Sequence, residues 1–367
     1  MLVRSLTLRN YRNYKELALD FCDNINIFLG KNAQGKTNII ESVYYSAFGR
    51  SHRTHNDSDL IYWNEPGAIL ELSFERIGVG HNIKFEFRRG KRRSILWNES
   101  PIRRSELIGK LNVVLFSPED LFLIKGAPAE RRRFLDRELS QANPAYCHDL
   151  LSYTHIVSQR NALLKRIREH SASVDMLELW DGQLAEFASR IVTKRIDAVK
   201  KLSNLSDSVQ RRISADTEEL SISYRISGME ENVTRDLLSW YNKRIVELRN
   251  NDISRGSTCI GPHHDDIIIS VNGVDLRSFG SQGQQRTGAL ALKLSELEFL
   301  HVETGEYPIL LLDDVMSELD AVRRHQLMDF IRHERIQTIV TATDEAFLPN
   351  SGEDAVYHVN AGIVRKR

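Results

Sequence analysis

The feature that most constrains this chain is a glycine-rich segment, Gly-Lys-Asn-Ala-Gln-Gly-Lys-Thr, which fits the pattern GxxxxGK[ST] at every fixed position. An apolar stretch typical of a strand (24–30) leads into it, and residues 37–48 carry apolar side chains at helical spacing. In such a unit the glycines let backbone N–H groups converge on phosphate oxygens, and the helix N-terminus adds its positive dipole end. The segment therefore predicts a nucleotide-phosphate site formed by Gly30, Lys31, Asn32, Ala33, Gln34, Gly35, Lys36 and Thr37.

Specific side chains in and beyond this loop have predicted roles with ATP and Mg²⁺. Lys36 is expected to reach the β- and γ-phosphates, and Thr37 to hold the ion. A second apolar run, 309–312, ends in Asp313 and Asp314. A buried strand delivers a carboxylate rigidly to the mouth of a sheet, so Asp313 is the predicted metal ligand and Asp314 the predicted catalytic group that polarises water. Many strands end in acids, so this pattern indicates a nucleotide site only because the chain also contains a phosphate loop.

A third segment, at residues 281–285, reads Ser-Gln-Gly-Gln-Gln and precedes a helical run at 290–300. Taken alone it fits an ordinary capped helix. It also resembles the signature motif of ABC-type ATPases, in which a hydroxyl, a backbone N–H and a helix N-terminus meet an anion. In that class the anion is the γ-phosphate bound on a second subunit. The resemblance implies that Ser281, Gly283 and Gln284 contact ATP in this way.

The order and spacing of these motifs predict an α/β fold built as an ABC/SMC-like P-loop ATPase head. Asp313 follows Thr37 by 276 residues, which is 313 minus 37. Residues 317–320, Ser-Glu-Leu-Asp, resemble the D-loop that follows the acids in this class. We expect a discontinuous head at 1–120 and 255–367, with a mixed sheet and a β-rich lobe, and an inserted helical arm at 121–254. A split head of this kind is typical of SMC-like proteins.

Longer stretches resemble the RecF family specifically, and together they span nearly the whole chain. They lie at 8–12, 117–121, 126–136, 261–266, 281–286 and 289–294. The resemblance implies an ATP-dependent homodimer that binds DNA, including gapped, double-stranded and single-stranded DNA. It also implies work beside RecR and RecO in loading RecA during recombinational repair.

Three departures from the wider ABC class predict a slow switch, a weak ATPase at most. Asp314 stands where the class usually has glutamate, and its shorter reach suggests slow hydrolysis. No histidine follows the last core strand near 341–343, and the usual glutamine loop is replaced around 117–119. The first two departures resemble the RecF family itself.

Basic residues are unevenly spread along a chain whose formal net charge is +0. Between Arg76 and Arg137 there are 15 Lys/Arg and 7 Asp/Glu, an excess of 15 − 7 = 8 positive charges. A hairpin tip is predicted within this region, and its basic groups are candidate readers of the DNA backbone: Arg88, Arg89, Lys91, Arg92 and Arg93. A solvated basic face explains the charge equally well. The aromatic content of 8% shows no stacking pattern, so base-mediated recognition of single strands is not predicted.

Other features bound the location and chemistry of the protein. The 3 cysteines lack a CxxC pair, and no apolar run reaches the length of a membrane span, so we expect a cytoplasmic protein without membrane contact. His263, His264, Asp265 and Asp266 include metal-ligand types, but adjacent side chains on one strand alternate in direction. A predicted helix opens with Arg131, Arg132 and Arg133. Adjacent residues on a helix point in different directions, so at most two of the three share a face. A structural or interface role is favoured for the histidine–aspartate run, whereas for the three arginines a solvated or interdomain role explains the sequence at least as well as DNA contact does.

Three rival functions make different demands on the sequence. A P-loop kinase or ATPase of another class, not acting on DNA, needs no signature segment and places its acids closer to the phosphate loop. A transporter ATPase has a shorter insertion between its motifs. An ATPase–nuclease fusion needs a further acidic domain, for which the 367 residues leave no room.

Overall fold

The computed structural model describes residues 1–230, 236–344 and 353–367. The chain divides into two compact units, the first made of Met1–Asp120 and Lys293–Arg367 and the second of Leu121–Leu292. We refer to them as unit 1 and unit 2. Unit 2 continues 38 residues beyond the predicted boundary at 254, which is 292 minus 254. The reason is that a strand at Asp266–Val271 pairs antiparallel with a strand at Leu220–Arg225, inside the stretch predicted to be helical.

The first passage through unit 1 is rich in strands, as predicted. Its elements are β1 (Leu2–Tyr11), β2 (Tyr14–Asp20), β3 (Ile25–Leu29), α1 (Lys36–Phe48), β4 (Gly67–Arg76), β5 (Val79–Arg88), β6 (Ser94–Trp97), β7 (Ser100–Pro101), α2 (Arg104–Leu107) and β8 (Val113–Phe116).

Unit 2 is mainly helical and includes one small sheet. Its elements are α3 (Leu121–Lys125), α4 (Pro128–Ala142), α5 (Pro144–Arg168), α6 (Leu177–Ile213), β9 (Leu220–Arg225), α7 (Leu237–Arg255), β10 (Asp266–Val271), β11 (Val274–Asp275) and α8 (Leu276–Phe279). Helix α9 (Gln282–Thr304) contains the boundary between the units. The second passage through unit 1 adds β12 (Ile309–Asp313), α10 (Ala321–His333), β13 (Thr338–Ala342), β14 (Ala355–Asn360) and β15 (Ile363–Lys366).

One sheet of unit 1 is antiparallel, with the strand order β2-β1-β4-β5-β6-β7. Burial alternates along β4, so one face of the strand lies in the core. Buried residues of this sheet, among them Leu70, Leu72 and Phe85, belong to the same apolar cluster as Ile39 and Val43 of α1. The helix that follows the phosphate loop is therefore fixed by the same core as the β-rich lobe.

The other sheet of unit 1 has the order β15-β14-β3-β13-β12-β8 and is parallel except for the edge strand β15. Strands β3 and β13 are buried at every position, as expected for inner strands of a parallel sheet, and the edge strand β8 is fully buried as well. The register pairs Leu29 with Ala342 and Asp313 with Thr341. The carboxyl ends of β3, β13 and β12 therefore meet at one edge, where ligands bind in open α/β sheets.

Unit 2 owes its order to long helices and a buried charged network. Helix α4 ends at Ala142, α5 runs from Pro144 to Arg168 and α6 begins at Leu177. Arg160 is fully buried and pairs with Asp181 at 2.8 Å and Asp252 at 2.7 Å. Buried charges persist only when paired in this way.

Among the described residues, none of the helices is both long enough and apolar enough to cross a membrane.

Candidate nucleotide site

The phosphate loop of unit 1 has the conformation that its glycines allow. Gly35 lies at φ 116, and a Cβ there would stand 2.5 Å from Nδ2 of Asn13. A Cβ on Gly30 would stand 2.3 Å from the carbonyl oxygen of Val359. The hydroxyl of Tyr14 donates to the carbonyl of Gly35 at 3.0 Å. Both glycines are therefore required by close packing around the loop.

Lys36 is the first residue of α1, and its side chain folds back over the loop. The ammonium donates to the carbonyls of Gly30 at 2.5 Å and Lys31 at 2.9 Å. Burial lowers the pKa of the Lys36 ammonium below its usual range, while Asp314 and Asp313 act in the opposite direction. A buried cation that is hydrogen-bonded to neutral carbonyls is well placed to bind phosphate oxygens.

Thr37 and Asp313 meet as the sequence predicted, although 276 residues separate them. The Thr37 hydroxyl donates to Oδ1 of Asp313 at 3.0 Å, and the hydroxyl of Thr341 donates to the same oxygen at 2.8 Å. A hydroxyl and a carboxylate are hard oxygen donors of the kind that Mg²⁺ prefers. The residues present thus fit this ion. Thr341 belongs to no motif in the sequence, and its contact with the acid follows from the strand register.

Asp314 lies just beyond β12 in the left-handed region, at φ 55. Its N–H donates to the hydroxyl of Thr341 at 3.0 Å, which fixes the turn. Burial raises the pKa of the Asp314 carboxyl; Lys36 opposes the rise, whereas Asp313 and Glu318 add to it. A carboxylate held near another acid and a lysine in this way is a candidate proton acceptor.

A cleft of about 320 Å³ opens over these groups. Its lining is Asn32, Ala33, Gln34, Gly35, Lys36, Thr37, Asn38, Arg53, Asp314 and Thr341. Gly30 and Lys31 do not line it and contribute their carbonyls to Lys36 instead. A second cavity shares Ala33, Asn38 and Arg53 with the cleft and extends to Ile61, Tyr62 and Trp63. Arg53 could not be recognised from the sequence, because a lone arginine after a helix carries no local signal.

The signature segment lies in unit 2, at the start of α9. Ser281 Oγ accepts from the N–H of Gln284 at 3.2 Å, and the Gln284 side chain accepts from the N–H of Ser281 at 3.0 Å. This is a reciprocal cap of the Ser-x-x-Gln type. Gly283 is exposed, and an added Cβ would meet nothing nearer than Ser281 Oγ at 3.9 Å. The predicted contact of these residues with ATP stays a prediction.

The basic hairpin tip connects β5 and β6, as predicted, but its arginines differ from one another. Arg88, Lys91 and Arg92 are exposed. Arg89 is also exposed, and its guanidinium donates to the carbonyl of Glu65 at 2.9 Å. Arg93 is half-buried and engaged with the Asp57 carboxylate and the Gly49 carbonyl. Arg93 therefore has a structural role, which weakens it as a DNA contact.

The histidine–aspartate run at 263–266 serves the interior of unit 2. His263 is bonded to the hydroxyl of Tyr153 at 2.5 Å, and Asp265 accepts from the hydroxyl of Tyr224 at 2.6 Å. Asp266 forms a two-point pair with Arg131 at 2.9 and 3.0 Å. Within the described parts of the chain, no cluster of three metal-ligand side chains is found. The structural role favoured for this run agrees with these contacts, and Arg131 is buried inside unit 2 rather than solvated.

Comparison with known proteins places these motifs in a family. The chain matches the family described as RecF/RecN/SMC N terminal domain over residues 2–364. A protein of Halothermothrix orenii named DNA replication and repair protein RecF is 43% identical over 373 residues, covering 100% of this chain and 99% of the relative. Its namesake from Heliobacterium modesticaldum is 42% identical, covering 99% and 98%.

Solved structures agree with the sequence relatives. A structure described as the recombination mediator protein RecF-ATP in the RecFOR pathway has a TM-score of 0.92 at 35% identity, covering 100% of this chain and 97% of the other. An SMC head bound to a winged-helix domain of ScpA has a TM-score of 0.60 at 16% identity, covering 100% and 97%, a likeness of fold alone. The α/β fold is thus that of the ABC/SMC-like ATPase heads, and the chain belongs to the RecF family.

Proposed function

We propose that this protein is an ATP-switched, DNA-binding repair protein that dimerises around ATP and hydrolyses it slowly. The observation that carries the proposal is the convergence of these groups at one sheet edge: Lys36, Thr37 and Asp314 line a single cleft, and Asp313 accepts a hydrogen bond from Thr37 beside it. Membership of the RecF family adds the biological setting.

In this proposal each residue of the cleft has one task. Backbone N–H groups of 32–37 and the Lys36 ammonium bind the phosphates, and the second cavity takes the nucleoside end. Thr37 and Asp313 would hold Mg²⁺, which supplies charge neutralisation on the phosphates. Asp314 accepts the proton of the attacking water. The short aspartate side chain at this position is the reason to expect slow turnover.

The second half of the ATP site is proposed to come from another copy of the chain. The cleft of unit 1 provides a loop, a lysine and acids, whereas the signature residues Ser281, Gly283 and Gln284 start a helix in unit 2. In ABC-like heads the signature faces the γ-phosphate on the partner. Two ATP molecules would then join two heads, so that ATP binding drives dimerisation.

We assign DNA binding to exposed basic groups, with RecR and RecO as proposed partners and RecA loading as the proposed outcome. A solved relative is described as a recombination mediator protein in the RecFOR pathway, which supports this setting. If the hairpin tip contacts phosphates, log affinity falls linearly with log salt concentration. Changing Lys91 and Arg92 to Glu should then reduce the slope by about 2, or roughly 0.9 for each lost contact. The control is Lys243→Glu on helix α7 of unit 2, an exposed lysine. If the slope of log affinity against log salt concentration changes only in the Lys243→Glu control, DNA binds to unit 2 instead of the hairpin tip.

Sedimentation velocity with ATP, with ADP and without nucleotide tests the whole proposal. We expect a dimer only with ATP, and a further shift with gapped duplex DNA. A protein that stays monomeric under all three conditions would contradict the proposed ATP-dependent dimerisation. A dimer that ignores DNA would favour a P-loop ATPase with another substrate.

A further inference from the structure

Glu41 is a carboxylate buried in the middle of α1, five residues after Lys36. Its side chain has 0% exposure, and its neighbours along the helix, Ile40 and Val43, are also buried. A buried carboxylate is costly unless opposite charge and hydrogen bonds compensate it. Its partners therefore indicate why the position is not apolar.

The first partner is Arg12, from the turn between β1 and β2. Its guanidinium makes a two-point contact with Glu41, Nε to Oε2 at 2.7 Å and Nη2 to Oε1 at 2.5 Å. Such fork-shaped pairs are the strongest ion pairs in proteins. Arg12 therefore neutralises Glu41 and fixes its orientation.

The second partner is the turn that follows α1. The Ser51 hydroxyl donates to Oε1 of Glu41 at 2.5 Å and accepts from the N–H groups of Arg53 at 2.9 Å and Thr54 at 3.1 Å. Glu41 thereby holds the backbone on which Arg53 stands. Oε2 of Glu41 also attracts Arg53 Nη1 at a longer distance of 3.6 Å.

Arg53 is held but keeps its charge available. Its side chain is 44% exposed, its Nη1 donates to Asn38 Oδ1 at 2.9 Å, and it lines both the phosphate cleft and the adjoining cavity. Because Arg12 already neutralises Glu41, the looser contact to Arg53 orients the guanidinium without consuming its charge.

We propose that Glu41 is a positioning residue that aims Arg53 at the polyphosphate of the bound nucleotide. The inference rests on the nucleotide site proposed above and names the group that completes it. Glu41 itself touches no nucleotide and acts through the Ser51 hydroxyl and the Arg53 side chain.

The test is a double-mutant cycle on ATP affinity, measured by titration calorimetry with Mg²⁺ present. Arg53→Ala should raise the Kd about tenfold, equivalent to about 1.4 kcal/mol. Glu41→Gln keeps the shape and should raise the Kd about five- to tenfold. The double variant should match Arg53→Ala within about twofold, because residues that act through one another are not additive. The control Glu75→Gln alters a carboxylate that pairs with Arg4 in the same unit and should leave the Kd unchanged.

Additive effects, an unchanged Kd in Glu41→Gln, or tighter binding would each overturn the inference. If Glu41→Gln fails to fold, Ser51→Ala replaces it in the cycle and should show the same non-additivity with Arg53→Ala. The proposed function is judged separately by wild-type affinity and by Lys36→Ala. If the wild type binds ATP, Lys36→Ala does not, and the cycle is additive, only the role of Glu41 fails.

Discussion

The predicted nucleotide contacts lie at the N-termini of two helices, α1 and α9. The two N-termini differ in whether side chains cap their backbone N–H groups. Helix α1 follows Gly35, and within the described residues no side chain caps it. Helix α9 is capped by Ser281 and Gln284, which bond to each other's backbone N–H groups. Neither helix has an acidic residue in its first turn.

The difference indicates which end binds an anion by itself. The N-terminus of α1 has uncapped donors and a buried lysine beside a cleft, so a phosphate can satisfy it directly. At the N-terminus of α9 the N–H of Gln284 is already bonded to the Ser281 hydroxyl, and Gly283 is exposed. This N-terminus can add a contact to a phosphate that is held elsewhere, which is the behaviour expected of a half-site completed by a second subunit.

Removing the lysine of α1 is the largest test of this difference. Lys36→Ala should raise the Kd for ATP about a thousandfold, since losing a charged partner costs about 4 kcal/mol. Dimerisation and hydrolysis should disappear with it, while circular dichroism stays unchanged. Tight ATP binding by a folded Lys36→Ala protein would contradict the assignment of α1.

A bulky residue at the start of α9 should leave ATP binding to the phosphate loop intact and prevent the contact of α9 with ATP on a second subunit. Ser281→Arg places a bulky side chain where close approach is needed, and we expect a loss of about 3 kcal/mol in ATP-dependent dimerisation, roughly 150-fold. ATP affinity of the monomer should stay within about twofold of wild type. Mixing this variant with Lys36→Ala protein allows at most one complete site per dimer. Normal hydrolysis by a monomeric Ser281→Arg protein would exclude the signature role.

Changing the acid separates chemistry from assembly. Asp314→Asn keeps the size of the side chain and removes the proton acceptor, so turnover should fall about a hundredfold. ATP binding and dimerisation should persist, because Asp313 and Thr37 are untouched. Single-turnover hydrolysis and sedimentation, run on the same sample, check both halves. Near wild-type turnover would give Asp314 another task.

The smallest expected effect concerns the cap of α9. Ser281→Ala removes the hydroxyl that accepts from Gln284 N–H, and a lost N-cap lowers the free energy of unfolding by about 1 kcal/mol. Urea denaturation without nucleotide measures it. Ser278→Ala is a nearby control, because the Ser278 backbone N–H, which the change leaves in place, is the group that donates to Asp275. No change in Ser281→Ala would mean that the cap does not stabilise the helix.

Several features could be predicted from the sequence because they are encoded within a few residues. The phosphate loop is set by glycines and a lysine, and Gly35 has the positive φ that such a loop needs. The hairpin turn at Asn272 and Gly273 has φ angles of 49 and 77, as an Asn-Gly pair favours. The apolar runs at β8 and β12 needed no partner to be recognised as buried strands.

Other features were decided only by tertiary structure, because they depend on which distant residues meet. Pairing of β9 with β10 shifted the unit boundary from 254 to Leu292, and no local pattern specified that register. Arg93 has a structural role because tertiary packing places Asp57 beside it, whereas the adjacent Arg92 is exposed. Local sequence fixes backbone conformation and the chemical groups on offer, but the choice of partner for each charge is made by long-range packing.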